Sequence, residues 1–136
     1  MDRRVFLATS AAAALVPLGA SAEGMIDYTP GLIETALSEG KTVLVDYSAT
    51  WCSTCRRQAR VINALRAADP AYDTAMIFVK VDWDTYRRDA VTVSRKIPRR
   101  STLVLLRGDA ELGRIIAKTR QDDIKALMDL GLETQS

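Results

Sequence analysis

Val43-Leu44-Val45-Asp46-Tyr47-Ser48-Ala49-Thr50-Trp51-Cys52-Ser53-Thr54-Cys55-Arg56-Arg57 is the stretch on which the reading of this chain turns. Thr42 to Tyr47 is a short β-rich run suited to a buried strand. From Cys52 the pattern becomes helical: Ala59, Val61, Ile62 and Leu65 fall on one face and Arg56, Arg57, Arg60 and Asn63 on the other, until Asp69-Pro70 stops the element. Both cysteines therefore stand where a strand gives way to a helix. Residues three apart on a helical turn have Cα atoms roughly 5 Å apart, inside the range a disulfide tolerates, so the pair can open and close with little backbone movement. The helix start leaves N–H groups unsatisfied, and its positive dipole end favours thiolate over thiol at the first sulfur. Cys52 is expected to be the nucleophile, with a pKa below the value of about 8.5 for a free thiol. Cys55, one turn further in and less exposed, is expected to be the resolving thiol.

Two other uses of the pair stand beside this one, a structural bridge and half of a metal site shared between chains. A bridge closing so short a loop constrains little of the unfolded chain. Arg56 and Arg57 either add positive potential near the thiolate or form a solvated helix face. Composition narrows the chemistry further. The 136 residues hold 19 Lys+Arg against 17 Asp+Glu, two Cys and no His, so no Ser-His-Asp or Cys-His relay and no His-ligated metal or haem can be built. Two sulfurs cannot fill a four-coordinate structural zinc site within one chain. Charge of both signs is scattered along the sequence, which gives no case for nucleic acid.

Outward from the cysteines, helices and strands alternate. Thr29-Pro30 predicts an N-cap with proline at the first helical position, Leu32, Ile33, Ala36 and Leu37 an apolar face, and Gly40 its end. Met76 to Val81 predicts a second strand, leading into one helix on which Tyr86, Ala90, Val93 and Ile97 recur before Pro98. Thr102 to Leu106 and Leu112 to Ala117 predict an antiparallel hairpin about Arg107-Gly108-Asp109-Ala110. Thr119 with Asp122 opens a last helix, whose buried stripe is Ile124, Leu127 and Met128 before Gly131. The order predicts an α/β sandwich with a partly parallel central sheet.

The first 22 residues read as a signal peptide. Asp2-Arg3-Arg4-Val5-Phe6-Leu7 is a charged start, Ala8 to Leu18 a short apolar run, and Ala20-Ser21-Ala22 a cleavage site. Arg3-Arg4-x-Phe6-Leu7 resembles the twin-arginine export signal, with a general secretory signal as the other reading. The apolar run falls short of the roughly 20 residues that span a bilayer, so no membrane anchor is expected after cleavage. The mature chain, residues 23–136, is expected to be one domain in the periplasm.

Val43 to Cys52, with Asp six residues before the first cysteine and Trp immediately before it, resembles the active-site segment of the thioredoxin superfamily, and the likeness runs from about Thr29 to the C-terminus. It implies a thioredoxin-like three-layer sandwich with a mixed central sheet, acting through the dithiol without a cofactor. Phe78-Val79-Lys80-Val81-Asp82-Trp83-Asp84 resembles the third family strand, which puts Lys80 where an ammonium pairs with Asp46. The resemblance implies that a buried Asp46 takes and returns the proton of Cys55, desolvation raising its pKa and Lys80 moderating the rise.

Ser53-Thr54 between the cysteines is more similar to the periplasmic thiol reductase branch than to the Gly-Pro of thioredoxin. The family places a cis-proline before an apolar strand, opposite the disulfide. Here Ile97-Pro98-Arg99-Arg100-Ser101-Thr102 precedes that strand, and alignment on the strand puts Ser101, not Pro98, in the slot. A non-proline cis bond is costly, so Ser101 is expected to be trans, with its N–H and hydroxyl available beside the sulfurs. Trp51, Ser53, Thr54, Arg100, Ser101 and Thr102 are the candidate substrate-binding residues, with Arg99 also along the groove. The function expected is that of an exported protein-disulfide reductase, a monomer, catalysed by Cys52, Cys55, Asp46 and Lys80. It would act on protein or small thiol and disulfide substrates and draw electrons from a membrane thiol donor. The alternative is a metal-bridged dimer that binds zinc, copper or an iron-sulfur cluster through the same cysteines of two chains.

Overall fold

The computed structural model describes residues 24–133, so the leader at residues 1–22 lies outside it. Five strands form one sheet: β1 (Ile26–Asp27), β2 (Thr42–Ser48), β3 (Met76–Asp82), β4 (Thr102–Arg107) and β5 (Ala110–Ile116), in the order β1-β3-β2-β4-β5. β3 runs parallel to both β1 and β2, while β4 is antiparallel to β2 and to β5. Helices cover both faces, which is the mixed three-layer sandwich the sequence predicts.

Alternation along β2 divides the core. Val43, Val45 and Tyr47 pack with Ile33 and Ala36 of α1 (Leu32–Ser38) and with Val91 and Ile97. Leu44 points the other way, into a cluster with Ile62 and Leu65 of α2 (Ser53–Ala68), Tyr72 of α3 (Ala71–Ala75) and Ile124, Leu127 and Met128 of α6 (Gln121–Leu130). With both faces covered, the central strand reads as a continuous apolar run broken by one acid, Asp46.

Several local expectations change. Pro30 does not open α1: Thr29, Pro30 and Gly31 form a turn in which the Leu32 N–H donates to the Thr29 carbonyl, and Gly31, at φ 89°, is the cap. A left-handed turn there suits glycine, which has no Cβ to clash. The single helix expected through Tyr86, Ala90, Val93 and Ile97 is two short ones, α4 (Trp83–Tyr86) and α5 (Ala90–Val93). Asp82 caps α4 by accepting from the Thr85 N–H and hydroxyl, which starts it earlier. The chain then bends so that the Val91 carbonyl meets the Tyr47 hydroxyl at 2.6 Å; Val91 and Thr92 turn inward, and Val93 is left 59% exposed. α6 is capped at Arg120 without a side-chain bond, so Thr119 does not play that part.

α2 also buries a more polar stripe than its apolar spacing suggests: Cys55, Gln58, Ile62, Leu65 and Arg66, with Ala59 and Val61 only half-buried. Arg66 is satisfied in place. Its Nε donates to Asp73 at 2.7 Å, its Nη1 to the Gly24 carbonyl at 2.8 Å, and its guanidinium lies 4.2 Å from the centre of the Phe78 ring. A desolvated contact of that last kind is worth about 2 kcal/mol.

Candidate active site

Cys52 is the N-cap of α2, and its sulfur accepts the Cys55 N–H at 3.1 Å. Such a bond satisfies one of the donors that a helix start leaves open, and it would strengthen on a thiolate. The sulfurs are joined as a disulfide, with Cα atoms 5.3 Å apart. Both cysteines are buried, Cys52 at 3% exposure and Cys55 at 1%, with Ala49 and Trp83 packed against them. Ser53 is exposed and Thr54 half-buried on the outer side of the turn.

Ser101 forms the opposite wall. Its Oγ lies 3.2 Å from the Cys52 sulfur and 3.1 Å from the Cys55 sulfur, and the residue has no exposed surface. No peptide bond among the described residues is cis; the chain instead reaches this position with Ser101 at φ 66°. That conformation costs a non-glycine residue on the order of 1–3 kcal/mol and persists only where the surroundings over-determine it. Here the Ser101 N–H donates to the Tyr47 carbonyl at 2.7 Å, and the Ser101 carbonyl accepts from the Ala117 N–H at 2.8 Å and the Gln58 amide at 3.1 Å. The hydroxyl is thus beside the sulfurs as expected, but the N–H is spent on the sheet. Pro98 is exposed, three residues back along the loop.

Asp46 lies on the α2 side of β2 by the alternation that directs Leu44 there, and Lys80 is its register partner on β3. They do not form the direct ion pair that the sequence suggests. The Lys80 ammonium reaches instead to Asp27, 3.9 Å away and exposed, which is its register partner on the other side. A solvated carboxylate wins because drawing an ammonium fully into the interior is costly. Asp46 keeps both oxygens without a hydrogen-bond partner. Burial pushes its carboxyl up to about 7, and the Lys80 charge partly offsets that rise. A half-open cavity of about 490 Å³ is lined in part by Asp46, Cys55, Ala59, Lys80 and Asp82, so the buried acid and the second cysteine border one space.

Around the disulfide, Trp51 is 56% exposed and its Nε1 donates to Asp84 at 2.8 Å. The Arg100 guanidinium lies 4.5 Å from the centre of the Trp51 ring system. Arg99 turns back, its Nε donating to the Arg100 carbonyl. Thr102 faces inward: it is fully buried and its hydroxyl donates to the Arg99 carbonyl at 2.7 Å, so the side chain does not contact a substrate in the groove. Arg56 is not aimed at the sulfurs but donates to the Thr50 carbonyl, and Arg57 is exposed. Gln58 escaped the sequence reading. Its amide ties the Ser101 and Lys118 carbonyls to α2, and the available signal was its place three residues after Cys55 on the stripe that continues to Ile62. Asp84 escaped too, because only the fold brings it to Trp51. Among the described residues, no group of three or more Cys, Asp or Glu side chains is arranged to hold a metal ion.

Comparison with known proteins agrees with this geometry. Residues 29–130 match the thioredoxin family model. Thioredoxin H2-1 of Oryza sativa subsp. japonica is 30% identical over 96 residues, covering 71% of this chain and 65% of that protein. Among solved structures, Trxlp from Edwardsiella tarda EIB202 is 33% identical, with a TM-score of 0.64 over 78% of this chain and 96% of that one. A mutant thioredoxin from Halobacterium salinarum NRC-1 shares the fold at 20% identity, with a TM-score of 0.67 over 86% of this chain and 98% of that one.

Proposed function

The chain belongs to the thioredoxin family, and from that membership we propose that it is a thiol-disulfide oxidoreductase, in finer terms an exported protein-disulfide reductase of the periplasm. The reading rests on the Cys52 sulfur standing at the N-cap of α2, 3.1 Å from the Cys55 N–H, where a thiolate is favoured. In the reduced protein the Cys52 thiolate attacks a substrate disulfide. A Cys52–substrate S–S bond forms, the substrate's own S–S bond breaks, and the departing sulfur leaves as a thiolate and takes a proton. Asp46 then accepts the Cys55 proton, Cys55 attacks the Cys52 sulfur, and the second substrate thiol is released. Two electrons pass to the substrate, and the enzyme is left with the Cys52–Cys55 bond. A membrane thiol carrier would return those electrons.

Export is supported by Arg3-Arg4 and the Ala20-Ser21-Ala22 site in the leader. The test is cell fractionation joined to a redox titration of the purified mature chain. A periplasmic protein with a potential near about −270 mV is expected, and one near about −120 mV would make it an oxidant and overturn the reductase reading. Recovery of the uncut chain in the cytoplasm would overturn export.

Ser101 tunes the same couple. A hydroxyl donating to a thiolate is worth about 1.5–3 kcal/mol, so Ser101→Ala should raise the pH at which Cys52 becomes alkylated by about one to two units. With the reduced form less stabilised, the potential should also fall. An unchanged alkylation profile would show that the hydroxyl does not serve the thiolate.

A further inference from the structure

Taking the Cys52/Cys55 dithiol as the reactive pair, we propose that Arg100 is a carboxylate-recognition residue, and that the preferred substrates are protein disulfides whose cysteine is flanked by Asp or Glu. Arg100 lies along the face of Trp51, the residue immediately before the nucleophile, and itself directly precedes Ser101, whose hydroxyl lies 3.2 Å from the Cys52 sulfur, so its guanidinium flanks the approach to the reactive sulfur. Its Nε is shielded from solvent and has no hydrogen-bond partner, whereas the buried Arg66 and the half-buried Arg107 each have partners at Nε and at a terminal nitrogen. A buried donor left unmade carries a desolvation cost, which an arriving acceptor relieves.

The backbone beneath it is fixed. Arg99 donates to the Arg100 carbonyl, the Thr102 hydroxyl holds the Arg99 carbonyl, and the Ser101 N–H is paired to the Tyr47 carbonyl. With that backbone held and the guanidinium fork laid against the Trp51 ring, less ordering remains to be done on binding. Nearby charge is consistent with an acidic guest. Asp84 is engaged by Trp51 Nε1 and lies 4.0 Å from Arg87, while Arg57 and Lys118 are exposed on the segments that Gln58 ties to Ser101. Planarity and paired N–H groups suit a carboxylate, which accepts two parallel bonds.

The experiment measures kcat/KM for reduction of two disulfide-bonded peptides that differ only in Glu or Gln beside the attacked cysteine. The wild-type protein should favour the Glu peptide by about tenfold, less as salt is raised, and Arg100→Gln should bring the ratio close to one. Arg100→Lys, a point charge without the fork, should fall between them. Equal wild-type rates on the two peptides, or a preference that survives Arg100→Gln, would overturn the carboxylate assignment while leaving the dithiol reading intact. Failure to reduce either peptide would overturn the dithiol reading, and this inference with it.

Discussion

Cys52→Ala should lower disulfide reduction by at least about a thousandfold, the scale seen when a covalent nucleophile is removed. Nothing else in the chain can take over the attack. The sequence has no histidine to activate a hydroxyl, and its second sulfur, Cys55, is the more deeply buried of the two. Ser101 lies within 3.2 Å of both sulfurs but carries an ordinary hydroxyl with no base beside it. Insulin reduction driven by dithiothreitol gives the measurement, corrected for the uncatalysed rate. The companion variant Cys55→Ala should behave differently, accumulating a mixed disulfide on Cys52 that mass spectrometry detects. Substantial turnover by Cys52→Ala would mean that exchange takes place elsewhere.

Asp46→Asn should change both stability and the pH profile. The Asp46 carboxyl titrates near 3.8 in an unperturbed chain but near about 7 when folded, because burial disfavours its charge. Below about pH 4 both folded and unfolded chains hold the proton and there is no penalty. Between about pH 4 and pH 7 unfolding releases that proton, so stability falls as pH rises; above about 7 the full cost of the buried carboxylate stands. The variant lacks the titration. Its advantage over the wild type in urea unfolding should therefore grow by on the order of 4 kcal/mol from pH 4 to pH 8, whatever constant offset the buried amide adds. Single-turnover release of substrate from the mixed disulfide should accelerate through about pH 7 in the wild type and lose that inflection in the variant. A stability gap that does not widen with pH would mean that the carboxyl is not held protonated by burial.

The strand and helix around the cysteines were legible because two periods change hands at Thr50-Trp51, with the only sulfurs at the change. Where a side chain's role depended on residues distant in sequence, the reading was incomplete. The resemblance implies that the Lys80 ammonium pairs with Asp46; the two are register partners, but nothing local tells that Asp27 sits on the other flank of Lys80 and takes its ammonium. Two-residue β1 has too little pattern to be seen. Gln58 and Arg66 look like solvated helix positions until the fold supplies their acceptors. Steps of four, three and four from Tyr86 to Ile97 mimic one helix, but Asp89 is extended and caps a new turn, and the Tyr47 hydroxyl then takes the Val91 carbonyl.

The left-handed turn at Ser101 carries a kinetic consequence. Its N–H continues the pairing of β4 with β2, and its carbonyl is held by two further donors. To lift Ser101 from the sulfurs, the chain would have to break its bond to Tyr47 at the end of the β2–β4 pairing together with the two bonds to its carbonyl, a rarer event than the motion of a free loop. Among the described residues, the wall opposite the sulfurs is thus anchored to the sheet rather than carried on a free loop. An incoming disulfide must then fit itself to that wall, which makes shape at encounter one determinant of which substrates react, beside the proton transfer at Asp46.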